Sequence, residues 1–257
     1  MTDALLSLKN VTVRFGGLTA LDSFSMDVRR GTITALIGPN GAGKSTAFNA
    51  ISRVYSTASG EIVYDGQPIT RHPPEALARL GIARTFQNIE ACAQMTVIEN
   101  VLVGMSSRIG SYNPFWPSRR RTSAEAEAID AADAILERTN LSEKRNTRAD
   151  ELDFGHQKML DIARALAAGP KLLLLDEPAA GLRNREIAAL DELLKDLCRK
   201  DGITILLVEH VMQLVMSIAE SITVLNFGRK IAEGVPSAIQ GNAQVVEAYL
   251  GSGYAQG

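Results

Sequence analysis

The sequence predicts an α/β fold, a mostly parallel sheet flanked by helices, and three observations predict it. The apolar run Thr32-Ile33-Thr34-Ala35-Leu36-Ile37 leads into the glycine-rich turn Gly38-Pro39-Asn40-Gly41-Ala42-Gly43-Lys44-Ser45. A buried strand, a phosphate-binding turn and a helix are expected there in that order. After Asp150 strand and helix patterns alternate, which implies crossover connections and parallel pairing. Between these halves, from Thr96 to about Thr139, the spacing becomes helical and marks an insertion.

Taken along the chain, residues 5–36 read as strands. Leu6, Leu8, Val11 and Val13 alternate imperfectly, Gly16-Gly17 marks a turn, and Leu21, Phe24 and Met26 continue on a second strand. A helix is expected from Lys44 to about Arg53, and a short strand from Gly60 to Gly66. In the insertion, Val97, Val101 and Leu102 have helical spacing, as does the Ala/Glu-rich segment Ser123 to Arg138. Ser106 to Arg121, with Pro114, Pro117 and the only tryptophan, Trp116, reads as a long surface loop, and Arg119-Arg120-Arg121 as a solvated part of it. The second half reads as helix Phe154–Ala168, strand Leu172–Leu175, helix Glu186–Arg199 and strand Ile203–Val208.

Composition narrows the function classes. With 257 residues, 46% hydrophobic and 22% charged, the chain suits one core with a subdomain rather than a disordered segment. A net charge of −2 gives no basic footprint for nucleic acid. Cys92 and Cys198 have no metal-ligand spacing around them and read as reduced thiols. The N-terminus lacks a basic start followed by an apolar stretch, so no secretory signal is expected. The most apolar stretch, Ile203 to Phe227, is interrupted by Glu209, His210 and Glu220, so no bilayer span is expected either.

The glycine turn fits G-x-x-x-x-G-K-[ST] in full. Its glycines let successive backbone N–H groups point inward, where a helix N-terminus adds to their pull on phosphate oxygens. In this pattern Lys44 reaches the β/γ-phosphates, Ser45 binds Mg²⁺, and Thr46 can donate to the α-phosphate. Leu172-Leu173-Leu174-Leu175-Asp176-Glu177 is an apolar strand ending in two carboxylates, at the strand end where parallel sheets bind ligands. Asp176 is placed to help hold Mg²⁺, and Glu177 to polarise an attacking water. These two elements alone fit a nucleoside kinase or a small GTPase as well.

Five further segments follow in the order of the ABC ATPase family, which the chain resembles. Phe15 precedes the glycine turn where the family stacks an aromatic on adenine. Gln87, in Arg84-Thr85-Phe86-Gln87-Asn88, resembles the family's loop glutamine. Leu152-Asp153-Phe154-Gly155-His156-Gln157 resembles the signature segment, Ala179-Ala180-Gly181-Leu182 the D-loop, and His210 the switch histidine. Over almost the whole chain the likeness is to the longer ATPase subunit of branched-chain amino-acid importers. It includes Asp176-Glu177-Pro178-Ala179-Ala180-Gly181-Leu182, Ile231-Ala232-Glu233-Gly234 and Glu247-Ala248-Tyr249-Leu250-Gly251.

The resemblance implies a RecA-like P-loop core with an antiparallel β subdomain at the N-terminus and an inserted helical subdomain. One ATPase domain would span 1–257, with 1–88 and 170–257 as the core and 89–169 as the helical part. It implies ATP and Mg²⁺ as ligands and a sandwich dimer with a second ATPase subunit, identical or not. ATP would lie on Phe15, on Gly38, Pro39, Asn40, Gly41, Ala42 and Gly43, and on Lys44, Ser45 and Thr46. Asp153 and Gly155 of the opposite chain would close over it. Glu177, His210, Gln87 and Lys44 would act in hydrolysis, with Ser45, Gln87 and Asp176 at the metal. Two membrane permease subunits and, through them, a periplasmic or surface solute-binding protein are the implied partners. The implied location is the cytoplasmic face of the inner (plasma) membrane, and no nucleic acid is expected. An exporter ATPase, such as one for lipopolysaccharide, and a soluble ABC ATPase of DNA repair or translation are the alternatives. Three residues depart from the family pattern: Asp153 stands for the signature serine, His156 for the residue after Gly155, and Arg183 for a D-loop acid or asparagine.

Overall fold

In the computed structural model, which describes residues 4–86, 90–106 and 123–253, Ala4–Phe15 (β1) and Leu18–Arg29 (β2) pair antiparallel across the Gly16-Gly17 turn. The imperfect alternation of β1 has a geometric cause. Register shifts fall between Leu8 and Val11 against β2 and between Lys9 and Thr12 against Ser59–Tyr64 (β4), around Asn10, which has φ 50°. The bulge returns Val11 and Val13 to the buried face that Leu6 and Leu8 occupy. With Gln67–Pro68 (β5) these strands form a four-stranded antiparallel sheet in the order β2-β1-β4-β5.

A second sheet has six strands. Ile33–Ile37 (β3), Ile82–Arg84 (β6), Leu172–Asp176 (β7), Thr204–Val208 (β8) and Ser221–Asn226 (β9) run parallel; Arg229–Gly234 (β10) is an antiparallel edge. The order is β10-β9-β3-β8-β7-β6. Its central strands β3, β7 and β8 are buried at every residue and mostly apolar, because both faces are covered. Leu36, Leu172, Leu174, Leu206 and Val208 join the core with the antiparallel sheet and Lys44–Ile51 (α1). Ala35, Ile37, Leu173, Leu175, Ile205 and Leu207 join the core on the other face. There Phe154–Ala167 (α5), Asn184–Asp201 (α6) and Met212–Ile218 (α7) pack.

Between β6 and β7 the described residues are mainly helical. Pro74–Leu80 (α2) precedes β6; Val97–Gly104 (α3) and Ser123–Arg138 (α4) follow it. Thr96 and Glu99 cap α3 reciprocally, each side chain bonding the other's backbone N–H. Gly104 lets α3 come close to α5, since a Cβ there would lie 2.5 Å from the Arg164 carbonyl oxygen. Helices α3, α4 and α5 share a third core, built on Val97, Val101, Ala132, Leu136, Leu160 and Ala163. Pro236–Gln240 (α8) and Ala243–Gly253 (α9) finish the chain. Residues 107–122, the greater part of the proline-containing loop, and Gln87, Asn88 and Ile89 lie outside the described residues. Among the described residues no helix is long and apolar enough to cross a membrane.

Candidate functional site

Parallel pairing brings the ends of β3, β7 and β8 to one edge: Leu36 lies opposite Val208, and Val208 opposite Asp176. The chain leaves β3 at Gly38, whose φ of 154° fits glycine alone, because a Cβ would meet the Leu225 carbonyl oxygen at 2.1 Å. Gly43, with φ 105°, is equally restricted by the Ala20 carbonyl oxygen at 2.6 Å. The turn enters α1 directly after Gly43, so the helix N-terminus points at its concavity.

Asn40, Gly41, Ala42, Gly43, Lys44, Ser45 and Thr46 line one open cleft of about 580 Å³, together with Phe15, Glu177 and Phe227. Lys44 is buried, with its ammonium donating to the carbonyls of Gly38 (2.7 Å) and Pro39 (3.0 Å). Burial pushes the Lys44 ammonium below its usual pKa, and the Glu177 and Asp176 carboxylates pull it back up. Phe15, 44% exposed at the cleft, is braced edge-on by Tyr55, ring centres 5.0 Å apart.

Asp176 is buried at the end of β7, where Arg84 donates to its Oδ2 at 2.9 Å. The same guanidinium donates to Asn49 Oδ1 (2.7 Å) and Ser52 Oγ (2.8 Å) of the α1 segment. Arg84 therefore fixes Asp176 relative to the helix behind the glycine turn. Glu177 follows in a left-handed conformation, φ 50°, unusual for a residue with a Cβ. Its N–H donates to Val208 O at 2.9 Å, and its Oε2 lies 3.8 Å from His210 Nδ1. Strain of this kind concentrates at functional sites.

Glu209 enters the sequence reading only as a break in an apolar stretch, yet it organises this edge. It is 1% exposed, and its carboxylate accepts from the N–H groups of Ala179 (2.8 Å), His210 (2.6 Å) and Val211 (2.9 Å). One side chain thus ties the D-loop segment to the His210 turn. Arg84 and Phe227 were also missed. An acid directly after an apolar strand, as in Val208-Glu209, is the signal that marked Asp176 and applies equally to Glu209.

Asp153 and Gly155 are not among the residues lining this cleft. They stand at the start of α5, beside the D-loop: a Cβ on Gly155 would lie 2.7 Å from Glu186 Oε1, and one on Gly181 2.8 Å from Phe154 Cε1. Asp153 is the N-cap of α5, its Oδ1 accepting from the His156 N–H at 2.9 Å and lying 2.8 Å from His156 Nδ1. The His156 backbone N–H, and then its ring, hold the Asp153 carboxyl below the ordinary aspartate range. Its charge is permanent near neutral pH.

Helix α5 also grips the chain on both sides of the undescribed residues 87–89. Buried Asp161 accepts from the Phe86 N–H, and Arg164 Nη1 donates to the Glu90 carbonyl at 2.5 Å. Burial pushes Asp161 up from 3.8 to about 6. A raised carboxyl pKa favours the folded state below the unfolded value and loses that contribution as pH rises through the folded value. Asp161→Asn keeps an acceptor for Phe86 without the charge. Its stability relative to the parent is expected to rise between pH 4 and 7 by roughly 2 kcal/mol. Paired denaturant titrations at the two pH values check this, and a constant difference contradicts it.

The profile described as ABC transporter matches residues 21–180, and one described as branched-chain amino acid ATP-binding cassette transporter matches residues 229–255. The high-affinity branched-chain amino acid transport ATP-binding protein LivG of Escherichia coli (strain K12) is 42% identical over 255 residues, covering 98% of this chain and 99% of that protein. A structure of the ADP conformation of MJ1267, an ATP-binding cassette of an ABC transporter, superposes with a TM-score of 0.84 at 32% identity, over 96% of this chain and 99% of the other. A dimeric structure of MJ0796, a bacterial ABC transporter cassette, gives 0.78 at 27% identity over 90% and 98%.

Proposed function

This chain belongs to the ABC transporter family of ATP-binding cassettes, and on that premise we propose that it powers uptake of branched-chain or related amino acids through separate membrane permease subunits. The observation that carries the substrate class is the full-length likeness to a high-affinity branched-chain amino acid transport ATP-binding protein, including the separately matched segment 229–255.

In this reading the nucleotide lies in the cleft of the glycine turn. Backbone N–H groups of residues 38–46 and the α1 N-terminus take the phosphates, and Lys44 turns from its own carbonyls to the β/γ oxygens. Phe15 stacks on the base. Among the described residues there is no cluster of His, Cys, Asp and Glu able to hold a metal by itself. Oxygen donors at Ser45 and Asp176 beside a phosphate cradle fit Mg²⁺, which is bound through few protein ligands plus phosphates. Ser45, Asp176 and Gln87 would hold it, and it supplies charge neutralisation at the phosphoryl group. Glu177 orients the attacking water and takes its proton, and His210 contacts the γ-phosphate.

The cleft of one chain is closed by the start of α5 in a second ATPase subunit, bringing Asp153 and Gly155 against the phosphate. Asp153 then places a negative charge where the family offers a serine hydroxyl, and it already occupies the His156 N–H. Such a site is weak until partners enforce closure, because ATP shifts the population only by its differential affinity for the closed pair. The chain therefore works at the cytoplasmic membrane face with a second ATPase subunit, two permease subunits and, through them, a solute-binding protein. The expected result is ATP hydrolysis several-fold faster once the chain is reconstituted with its permease. A rate that the permease leaves unchanged would contradict the reading.

A further inference from the structure

We infer that Phe227 is a second aromatic wall for the base of the bound nucleotide, on the same cleft as Phe15 but carried by the turn between β9 and β10. The inference rests on the reading of the cleft as a nucleotide site.

Phe227 is the most exposed large hydrophobic residue described, at 84%. Leu18 is 66% and Phe15 44% exposed. All three line the cleft that holds the glycine turn and Glu177. Exposed apolar side chains scattered singly need no explanation, but three that converge on one cleft form an apolar lip. The lip borders residues 40–46, so a phosphate chain seated on the helix N-terminus leads its other end toward it.

The backbone holds Phe227 there at a cost. It has φ 45°, the left-handed region that a residue with a Cβ rarely adopts. The turn between β9 and β10 cannot relax, because Gly228 is fixed on three sides. Its N–H donates to Ala42 O at 2.8 Å, its carbonyl accepts from the Asp22 N–H at 2.9 Å, and a Cβ on it would meet Ala20 O at 2.7 Å. Arg229 adds two bonds to Asp22 Oδ2, at 2.9 and 2.5 Å. The turn that carries Phe227 is therefore bonded to the phosphate loop itself, at Ala42. A strained, solvent-facing phenyl ring gains its missing contacts when a flat apolar surface covers it. The nucleobase is such a surface, and stacking needs no hydrogen-bond partner on the ring.

The test compares two ligands on the full chain by calorimetry: ATP, and tripolyphosphate, which has the phosphates and no base. Phe227→Ala is expected to weaken ATP about tenfold and to leave tripolyphosphate within about twofold. Phe227→Tyr is expected to restore ATP binding. ATP affinity unchanged in Phe227→Ala overturns the inference. So does an equal loss for both ligands, since the turn would then act through the phosphate loop. Should the alanine variant fail to fold, Phe227→Gly, which suits the left-handed backbone, carries the same comparison. Lys44→Ala separates the two claims: if it weakens neither ligand, the nucleotide-site reading fails, whatever Phe227 does.

Discussion

Glu177→Gln is expected to keep ATP bound while turnover falls by roughly 10²–10⁴-fold, the usual worth of a general base. The substitution is nearly isosteric, and the features that hold position 177 are backbone features. Its N–H donates to Val208 O at 2.9 Å, and Lys158 Nζ donates to its carbonyl at 3.3 Å. Both survive the change, so the loop and its φ of 50° should persist. Only the ability to accept a proton is lost, since the amide retains an oxygen that can still hold water. With hydrolysis blocked and affinity intact, the ATP-bound dimer should accumulate and be visible by size-exclusion chromatography. Hydrolysis near the parent rate would assign the base elsewhere, with Glu209 excluded as its replacement because it is 1% exposed and committed to three N–H groups.

Lys44→Ala should lower ATP affinity by about 10²-fold, because removing one partner of a buried, hydrogen-bonded charge pair costs about 2–5 kcal/mol. No neighbour replaces the charge: Gly43 and Ser45 flank it, and Arg84 is engaged by Asp176, Asn49 and Ser52. The fold should tolerate the change, since burial penalises the ammonium and the carbonyls it bonds border the open turn. A melting temperature near the parent value together with lost binding, read by calorimetry, separates the site from the scaffold. Unchanged affinity would contradict the phosphate-cradle assignment.

What was legible in the sequence follows a physical division. The central strands β3, β7 and β8 announce themselves as mostly apolar runs because both faces are covered. The glycine turn is legible because the backbone of Gly38 and Gly43 excludes every other residue. The short strand β6 was not foreseen, since three residues carry no period. Helix α2 was missed although Pro73-Pro74 and Gly81 bracket it at positions that favour helix starts and stops. Strand β10 was hidden because an edge strand that is half exposed lacks a continuous apolar run, and β9, although buried, lies within the apolar stretch Ile203 to Phe227 that it shares with β8 and α7.

For the site, the residues that would touch phosphate were readable from motif spacing. Those that hold them were not. Arg84 reaches Asp176 across 92 positions and Glu209 reaches Ala179 across 30, through contacts that only tertiary pairing creates. Phe227 escaped notice because a phenylalanine after an apolar strand reads as core, whereas the Gly228 turn leaves it in solvent.

The measurement that tests the central claim most directly is uptake of labelled leucine into proteoliposomes. They would hold this chain with its ATPase partner and permease subunits, with ATP on the ATPase side and the solute-binding protein on the other. Uptake should require ATP and fall to background when this chain carries Glu177→Gln. Leucine uptake that proceeds equally with the variant, or ATP turnover by the intact complex that never moves a branched-chain amino acid, would contradict the account.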